Sequence, residues 1–484
     1  MEDFSPGKRN DYPESNNVTK STGGNQNYLP PWTEPYIIGI GGNSGSGKTS
    51  ISQKVIHHIN QPWTVLVSFD NFYKPLNASD SEKAFRNEYD FDRPESLDFD
   101  QLYDVIRSLK SGKRSDIPIY SFTEHRRTNK TTTVYGANVI IIEGIYALYD
   151  KRLLNLMDLK IFVDTGLDVC LSRRLTRDIL FRGRDLAGAI KQWETFVKPN
   201  AVRYVNPTVS IADIVIPGGL SNERAMNLMI AHIQKHLAKK SYLHLQRLLD
   251  LHIESGLDVE SHKNIRILPP KNRIRGLNAE LFSKTTTRSD FIYYFDRIAV
   301  IIIEYALESL MNYHQKNVIT PEGYSYQGIE ANDDIVAVNI IRSGDCFMNA
   351  LKKTIPEISV GKFLIQSDSL TGEPQLHTES LPRKLLDSKK ILLFDAQIIS
   401  GSAAIMAIQV LIDHKVKMEN ILLCCYLSTE IGLRRILRVF PQVRIVIGKL
   451  SSMDNKVKQY NIENFKDTYW QFRTRFVDSF YFGT

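Results

Sequence analysis

The sequence predicts two consecutive α/β domains, each with a mainly parallel β-sheet between layers of helices. Three observations predict this fold class. The chain has 484 residues, which is too many for a single hydrophobic core. Short runs of β-branched residues alternate with helical patterns from Tyr36 onward, as in parallel sheets whose strands are buried on both faces. The same alternation resumes after residue 265, so we expect a second α/β unit.

Composition and charge narrow the class of protein. Hydrophobic residues make up 42% and charged residues 24% of the chain, which is typical of a globular protein in water. No apolar run is long enough to cross a membrane, and the N-terminus lacks a secretory apolar core. The net charge of +7 suits acidic ligands, but no dense basic tract predicts nucleic-acid binding. The four cysteines lack metal-ligand spacing, so we expect reduced thiols and a cytoplasmic location, with the nucleus left open as a second one.

Five strands and a closing helix define the first domain, predicted over residues 35–237 after a disordered tail over residues 1–34. The tail is rich in Asn, Ser, Gly and Pro and has too little apolar surface to fold. Ser221 is predicted to cap the helix that ends the domain near Leu237. The predicted strands are residues 36–42, 64–68, 139–143, 160–164 and 212–216.

A linker over residues 238–264 and a second domain over residues 265–484 are predicted to follow. A helical pattern over residues 291–314 precedes the strands of this domain. No internal repeat relates the two domains, so each is interpreted from its own motifs. The predicted strands are residues 334–340, 362–366, 389–395, 420–427 and 443–448.

A stretch rich in glycine and hydroxyl side chains follows the first predicted strand. It fits the pattern G-x-x-x-x-G-K-[ST] at every fixed position and is followed by a helical pattern over residues 50–59. Glycines let backbone N–H groups converge on phosphate oxygens, and the helix N-terminus adds a positive partial charge. The alternative is a plain glycine turn. We therefore predict a P-loop that binds nucleotide phosphates, formed by Gly42, Asn43, Ser44, Gly45, Ser46, Gly47, Lys48 and Thr49.

A P-loop is compatible with a small-molecule kinase, a regulatory GTPase, or a motor or remodelling ATPase. A GTPase needs an N-K-x-D element to recognise guanine, and the nearest candidate, residues 455–458, ends in Lys and lies in the second domain. The first domain spans about 200 residues and shows no remodelling machinery. These observations favour a small-molecule kinase.

Two acidic residues are predicted at the carboxyl ends of strands, where parallel sheets bind their ligands. Asp70 follows the second strand and could accept a proton from an attacking hydroxyl and help to hold Mg²⁺. Glu143 ends the third strand, in the position of the acidic residue that completes a Mg²⁺ site through water. The alternatives are a helix cap for Asp70 and a solvent-facing carboxylate for Glu143.

Five arginines crowd residues 171–186, where Gly183 would allow a bend. Arg174 and Arg177 share one face of the predicted helix. Guanidinium groups suit the charge that spreads over phosphoryl oxygens during transfer. Next to a P-loop, the cluster favours a closing lid over a solvated basic helix face. The arginines are Arg173, Arg174, Arg177, Arg182 and Arg184.

Seven segments occur in the order of one known family over residues 36–220: GGNSGSGKT, SFDNFYK, YDFDRPESLDFD, PIYSFTEHRR, IIIEGIYAL, FVDTGLDVCLSRRLTRDILFRGRDL and QWETFVKPN. On these segments the first domain resembles the uridine kinase (uridine–cytidine kinase) family. Phosphoribulokinase and pantothenate kinase share that fold but match the substrate segments less well. The resemblance implies a P-loop NTPase-type parallel sheet of the nucleoside/nucleotide kinase kind.

The resemblance implies a role for each matched residue. Asp70 would be the general base for the ribose 5′-hydroxyl, and Thr49, Asp70 and Glu143 would hold Mg²⁺, partly through water. Arg182 and Arg184 would bind ATP phosphates from the lid. Asp92 and Arg177 would hold the ribose hydroxyls, and Tyr120 and His125 the pyrimidine. The whole set expected to bind the nucleoside is Tyr73, Asp92, Tyr120, His125, Arg174, Arg177 and Gln192.

The resemblance also implies the reaction. We expect phosphorylation of uridine to UMP and of cytidine to CMP in pyrimidine salvage, with ATP, or also GTP, as donor and Mg²⁺ as cofactor. Buried polar groups that bind the 2′-hydroxyl would be left unpaired by a deoxynucleoside, so we expect a preference for ribonucleosides. The family further implies a homo-oligomer, such as a tetramer, and feedback inhibition by CTP or UTP.

The second domain resembles uracil phosphoribosyltransferase in TRSDFIYYFDRIAVIIIEYAL, NIIRSGDCF, TGEPQLHTESLP and ILLFDAQIISGSAA. It departs from that family where Ala396 replaces Pro, where Ser367 replaces Arg, and where the glycine-rich uracil-binding stretch is missing. We therefore expect a phosphoribosyltransferase-like α/β domain that does not catalyse phosphoribosyl transfer. The alternative is a bifunctional enzyme that also makes UMP from uracil. The candidate phosphate site is Arg342, Asp395, Ser400, Gly401 and Ser402.

Overall fold

Two large β-sheets, one per domain, organise the computed structural model of the chain: the first is parallel and the second mainly parallel. The residues that the structure describes are 28–59, 64–86, 88–113, 115–122, 124–134, 137–182, 185–251, 258–331, 334–367, 373–382, 390–451 and 476–483. The predicted fold class is confirmed for both domains.

The first domain is a five-stranded, fully parallel sheet with the strand order β2-β5-β1-β6-β7. Its strands, together with the hairpin β3–β4, are β1 Tyr36–Gly42, β2 Thr64–Ser68, β3 Ser115–Ser121, β4 Arg126–Val134, β5 Val139–Glu143, β6 Leu159–Asp164 and β7 Ile214–Pro217. The helices are α1 Lys48–Ile59, α2 Ala78–Phe85, α3 Phe99–Lys110, α4 Lys151–Leu154, α5 Leu167–Arg182, α6 Leu186–Gln192, α7 Lys198–Asn200 and α8 Glu223–Asp250.

The apolar strands of this sheet are buried on both faces, as the sequence predicts. In β5, Ile140 and Ile142 pack into one hydrophobic cluster, whereas Val139 and Ile141 pack into another on the opposite face. Successive side chains of a strand point to opposite faces, so a continuous apolar run serves two layers of helices. The five parallel strands end at one edge, which therefore gathers the loops that follow them.

The second domain has an eight-stranded sheet with the main order β13-β12-β11-β14-β16-β17-β8, in which β13 is antiparallel and β15 pairs with β16. A separate hairpin joins β9 and β10. The strands are β8 Ile265–Ile267, β9 Tyr313–Ile319, β10 Ser325–Ala331, β11 Ile335–Ile341, β12 Ser359–Ser367, β13 Pro374–Ser380, β14 Lys390–Phe394, β15 Gln397–Ile398, β16 Ile421–Thr429 and β17 Arg444–Ser451. The helices are α9 Asn272–Phe282, α10 Arg288–Leu310, α11 Met348–Thr354, α12 Ser402–Asp413, α13 Glu430–Val439 and α14 Phe476–Phe482.

The predicted boundaries need three corrections at the domain junction. Asn222, not Ser221, caps α8, because its side chain accepts a hydrogen bond from the Ala225 N–H at 3.1 Å. The helix continues beyond Leu237 to Asp250, so the predicted linker begins inside it. The predicted disordered tail is wrong for residues 28–34, while residues 1–27 lie outside the described residues.

Residues 28–34 form a short strap between the domains. Trp32 is 1% exposed, packs in a hydrophobic cluster of the second domain, and donates its indole N–H to Asp413 at 3.0 Å. Tyr28 is also buried and lies 3.3 Å from Nε2 of His244 on α8. Lys240 of α8 donates to the backbone carbonyls of the strap at Pro31 and Glu34. Buried aromatic side chains thus order a short segment that the composition of the tail as a whole had predicted to be disordered.

Candidate active site

The P-loop connects β1 to α1 and depends on glycine for its shape. Gly42, Gly45 and Gly47 all have positive φ angles, of 145°, 86° and 96°. A Cβ atom on Gly45 would lie 2.4 Å from the carbonyl oxygen of Cys170, which is closer than van der Waals contact allows. Any other residue would therefore strain the backbone here and push the loop away from the Cys170 carbonyl.

Lys48, at the start of α1, is buried beneath the loop. Its Nζ donates to the backbone carbonyl of Asn43 at 2.8 Å. Burial lowers the pKa of Lys48, although the nearby carboxylates of Glu143 and Asp70 partly offset this effect. A phosphate oxygen in the loop would favour the charged ammonium and reverse the shift. The lysine thus lies where an anionic ligand would add to the charge compensation that Glu143 and Asp70 provide.

Glu143 ends β5 between the two neighbouring strands and links them to the P-loop. Its carboxylate accepts hydrogen bonds from the hydroxyls of Ser68, at 2.7 Å, and Thr49, at 3.2 Å. Burial raises the pKa of Glu143, while Lys48 opposes that rise. Hydroxyl and carboxylate oxygens are the hard ligands that Mg²⁺ takes in nucleotide sites. The donor set of Thr49 and Glu143 therefore fits the metal predicted from the sequence.

Asp70 lies in a single turn of 3-10 helix, Phe69–Phe72, directly after β2. Its backbone N–H donates to the hydroxyl of Ser68 at 3.4 Å, so one serine contacts both Asp70 and Glu143. The carboxylate of Asp70 lines a cavity that also contains Ser44 of the P-loop. The candidate base therefore stands between the phosphate loop and a neighbouring cavity.

This cavity has a volume of about 570 Å³ including its open mouth. It brings together every residue that the resemblance implies for nucleoside binding: Tyr73, Asp92, Tyr120, His125, Arg174, Arg177 and Gln192. These residues come from sequence segments more than a hundred positions apart. Sequence reasoning did not single out five further lining residues, which are Tyr89, Phe91, Phe122, Ile145 and Phe196.

Aromatic rings form one wall of the cavity. The imidazole of His125 stacks on Phe91 with ring centroids 5.2 Å apart and planes 20° apart. Tyr73 and Tyr120 lie 5.1 Å apart, and Tyr73 meets Phe91 edge to face. The segment YDFDRP contains Phe91 beside Asp92, so its alternating aromatic and acidic residues were the sequence feature that could have revealed this wall. Such a wall suits a flat heterocycle.

A buried arginine joins the P-loop to the polar side of the cavity. Arg174 donates to the hydroxyl of Ser44 at 2.8 Å and forms a bidentate pair with Asp92 at 3.1 and 3.2 Å. Burial opposes the charge of Arg174, but the carboxylates of Asp92 and Asp178 outweigh it and raise its pKa. The guanidinium therefore stays charged at the boundary between phosphate loop and cavity.

Two of the five predicted lid arginines, Arg182 and Arg184, are assigned from the sequence alone. Arg182 ends α5, and its side chain lies outside the described residues, as does Arg184. Their assignment to ATP phosphates remains a prediction. Arg173, on the same helix, donates to the P-loop carbonyl of Ser46 at 3.4 Å.

Comparison with known proteins agrees with this geometry. Residues 37–224 match the model of the phosphoribulokinase / uridine kinase family, and residues 268–462 match uracil phosphoribosyltransferase. Uridine kinase of Saccharomyces cerevisiae is 52% identical over 96% of this chain and 92% of its own length. Uridine-cytidine kinase-like 1 of Mus musculus is 39% identical over 91% of this chain and 81% of its own length. Uridine kinase of Schizosaccharomyces pombe is 37% identical over 90% of this chain and 95% of its own length.

The chain belongs to the uridine kinase family. The resemblance predicted from the sequence is confirmed for the kinase domain and for the phosphoribosyltransferase-like domain that follows it. This family member is a kinase, and its phosphate loop and aromatic cavity lie side by side at the carboxyl edge of the first sheet.

The second domain of this uridine kinase family member contains the candidate phosphate loop between β14 and α12. Gly401 has a φ of 78°, and a Cβ there would lie 2.7 Å from the Gly432 carbonyl oxygen. The hydroxyls of Ser400 and Ser402 lie 3.2 Å apart, facing each other across the turn. Asp395 is buried, and its carboxylate accepts a hydrogen bond from the hydroxyl of Ser343 at 2.6 Å.

Arg342 follows β11, the strand next to β14 in the sheet. Its guanidinium lies 3.7 Å from Asp478 and over the ring of Phe482, both on α14. The C-terminal helix α14 thus contacts the arginine of the candidate phosphate site.

Two kinds of feature are absent from the described residues. None of the described helices is both long and apolar enough to span a membrane. In the same part of the chain, no three His, Cys, Asp or Glu side chains gather as a metal cluster.

Proposed function

We propose that the protein transfers the γ-phosphoryl group of ATP to the 5′-hydroxyl of uridine and of cytidine, giving UMP and CMP. One observation carries the proposal: the phosphate loop and the aromatic cavity share a boundary formed by Ser44, Asp70 and Arg174. A nucleoside in the cavity would thus present its hydroxyl to a nucleotide in the loop. GTP is a second donor that the same loop geometry allows.

The cavity offers a partner for each part of a pyrimidine ribonucleoside. The rings of Phe91, Tyr73 and Tyr120 would stack against the base, with His125 at its polar edge. Asp92 and Arg177 would bind the ribose hydroxyls, because both line the same cavity and supply acceptor and donor groups. A deoxyribose would leave such groups unpaired, which supports a preference for ribonucleosides.

Phosphoryl transfer needs a proton acceptor for the hydroxyl and positive groups that stabilise the charge on the phosphates. The carboxylate of Asp70 would take the proton of the 5′-hydroxyl while the oxygen bonds to the γ-phosphorus and the bond to the bridging oxygen breaks, releasing ADP. Lys48 would contact the β- and γ-phosphates, and Thr49, Asp70 and Glu143 would hold Mg²⁺ directly or through water. When bound, Mg²⁺ neutralises charge on these phosphates.

The decisive test measures label transfer from γ-labelled ATP to a panel of nucleosides with the full chain. We expect uridine and cytidine to be labelled well above 2′-deoxyuridine and purine nucleosides. Asp70→Asn should lower kcat by about 10²- to 10⁴-fold, because the proton acceptor is lost. ATP affinity should stay within about twofold, because the P-loop, Lys48, Thr49 and Glu143 are retained. Asp104→Asn, an equal charge change on the exposed face of α3, is the control. Near-normal turnover in Asp70→Asn would remove Asp70 as base.

We further propose that the second domain does not catalyse phosphoribosyl transfer. The departures from the phosphoribosyltransferase pattern support this: Ala396 replaces Pro, Ser367 replaces Arg, and the glycine-rich uracil-binding stretch is missing from the sequence. The alternative is a bifunctional enzyme. Incubating Asp70→Asn protein with uracil and phosphoribosyl diphosphate distinguishes the two: UMP formation would establish the alternative, and its absence beside an active phosphoribosyltransferase control supports our proposal.

Three finer properties are proposed from the resemblance. They are a homo-oligomer such as a tetramer, inhibition by CTP or UTP, and a cytoplasmic location in pyrimidine salvage. Light scattering of the purified chain, initial rates with added CTP or UTP, and imaging of the tagged chain in cells test them separately.

A further inference from the structure

Asp178 is a buried carboxylate in the interior of α5 that the proposed chemistry does not use. Its side chain is 1% exposed, although α5 was predicted as a basic lid helix. An ionised carboxylate in such a place is costly unless charged partners compensate it. Aspartate is also a poor residue for a helix interior. Its contacts therefore need a physical explanation.

The two oxygens of Asp178 contact two different arginines. Oδ2 lies 3.4 Å from Nε of Arg174, one helical turn earlier, and Oδ1 accepts a hydrogen bond from Nε of Arg177 at 3.0 Å. Nη1 and Nη2 of Arg174 are bound to Asp92, so each nitrogen of that guanidinium has a carboxylate partner. The side chain of Arg177 is more accessible, at 36% exposure, and lines the cavity.

We propose that Asp178 is a positioning residue that holds Arg174 in place against Asp92 and fixes Arg177 in the conformation that binds the ribose, and thereby sets the preference for ribonucleosides. The inference rests on the proposed function. Because Nε of Arg177 is tied to Asp178, the rotation of its guanidinium is restricted. Such preorganisation reduces the entropy lost when the nucleoside binds.

Asp178→Asn tests this arrangement with almost no change in volume. Whichever way the amide is turned, one arginine loses an acceptor and faces an N–H₂ donor instead. Arg177 is the more exposed of the two and should move first. We expect KM for uridine to rise about ten- to a hundredfold, as for loss of a charged hydrogen bond, with KM for ATP within about twofold. The ratio of kcat/KM for uridine to that for 2′-deoxyuridine should fall at least fivefold.

A purely structural role for Asp178 would give a different result. It would lower the active fraction and the melting temperature but leave KM and the uridine to 2′-deoxyuridine ratio unchanged. A second measurement compares Asp178→Asn in the wild-type and Arg177→Met backgrounds. Since the effect on selectivity acts through Arg177, most of it should vanish in the second background. Asp168→Asn, on the exposed first turn of α5, is the matched control.

The outcomes separate this inference from the proposed function. Wild-type protein that does not phosphorylate uridine would overturn both. Wild-type activity together with an unchanged KM and ratio in folded Asp178→Asn would overturn the positioning role alone. Should Asp178→Asn not fold, Asp178→Glu retains the charge and shifts the carboxylate by one carbon–carbon bond. We then expect at least a threefold rise in KM for uridine, and a wild-type KM would overturn the inference.

Discussion

The strap at residues 28–34 allows a sharp prediction, because it contains a large side chain that is almost fully buried. Trp32 is 1% exposed and packs with residues of the second domain. Burial of a tryptophan removes about 200 Å² from water, which at about 25 cal/mol per Å² amounts to roughly 5 kcal/mol. We expect Trp32→Ala to lower the free energy of unfolding by about 3–5 kcal/mol.

A second substitution separates packing from hydrogen bonding. Trp32→Phe retains most of the apolar surface but removes the indole N–H that Asp413 accepts at 3.0 Å. Loss of a hydrogen bond to a charged group costs about 1.5–3 kcal/mol. Asp413 also accepts from Gln409 at 2.9 Å, which keeps the carboxylate partly satisfied, so we expect the lower end of that range.

Thermal melting of the full chain, followed by near-UV circular dichroism, measures both variants. For a domain of this size, 1 kcal/mol corresponds to about 2–4 °C, so Trp32→Ala should lower the melting temperature by roughly 6–20 °C. Leu29→Ala, on the same strap but with the leucine 49% exposed, should change it by less than about 2 °C. Equal, small shifts for Trp32→Ala and Leu29→Ala would refute the strap and restore the disordered tail.

Two further predictions concern the P-loop and α8. Gly45→Ala should weaken ATP binding more than about tenfold by calorimetry, because its Cβ would lie 2.4 Å from the Cys170 carbonyl oxygen. Gly276→Ala is the control and should leave ATP affinity unchanged, because nothing lies within 4 Å of its Cβ. Equal ATP affinities of the two variants would contradict the assigned loop shape. Burial lowers the pKa of Lys240 to about 8 from its ordinary value of 10.5. Unfolding therefore takes up a proton between these pH values, and the wild type gains stability as pH rises from 8 to 10.5. In denaturant titrations at several pH values, the unfolding free energy of Lys240→Met should not show this rise with pH. A pH profile parallel to that of the wild type would contradict the prediction.

Much of the fold follows from patterns local to the chain. Each predicted strand is present, with ends shifted by up to three residues, because runs such as residues 139–143 are apolar at every position. The hairpins β3–β4 and β9–β10 were missed. Strands β4, β9 and β10 are largely exposed, and the partly buried β3 is interrupted by Pro118, so none of the four gives an apolar run. Element boundaries depend on single caps, as the change from Ser221 to Asn222 shows.

The candidate site likewise contains residues that local sequence reveals and residues that only tertiary packing brings together. Residues 42–49 could be recognised because the phosphate loop is contiguous, and its glycines, Lys48 and Thr49 follow one another directly. The aromatic wall could be recognised only in part, since Phe91 and Phe196 come to line one cavity only through tertiary packing. Local sequence likewise describes Asp178 as one charge on a basic helix face. Its burial depends on how α5 packs.

The sequence by itself determined the phosphate-binding loop, the alternation of strands and helices, and the motifs of the uridine kinase family. These are short-range properties, because backbone conformation and periodicity depend on neighbours along the chain. Only the tertiary structure decided that Trp32 contacts Asp413, 381 positions away, and that Asp178 lies between two arginines. Burial and charge pairing depend on residues that folding brings together from distant segments, and no local pattern encodes those distances.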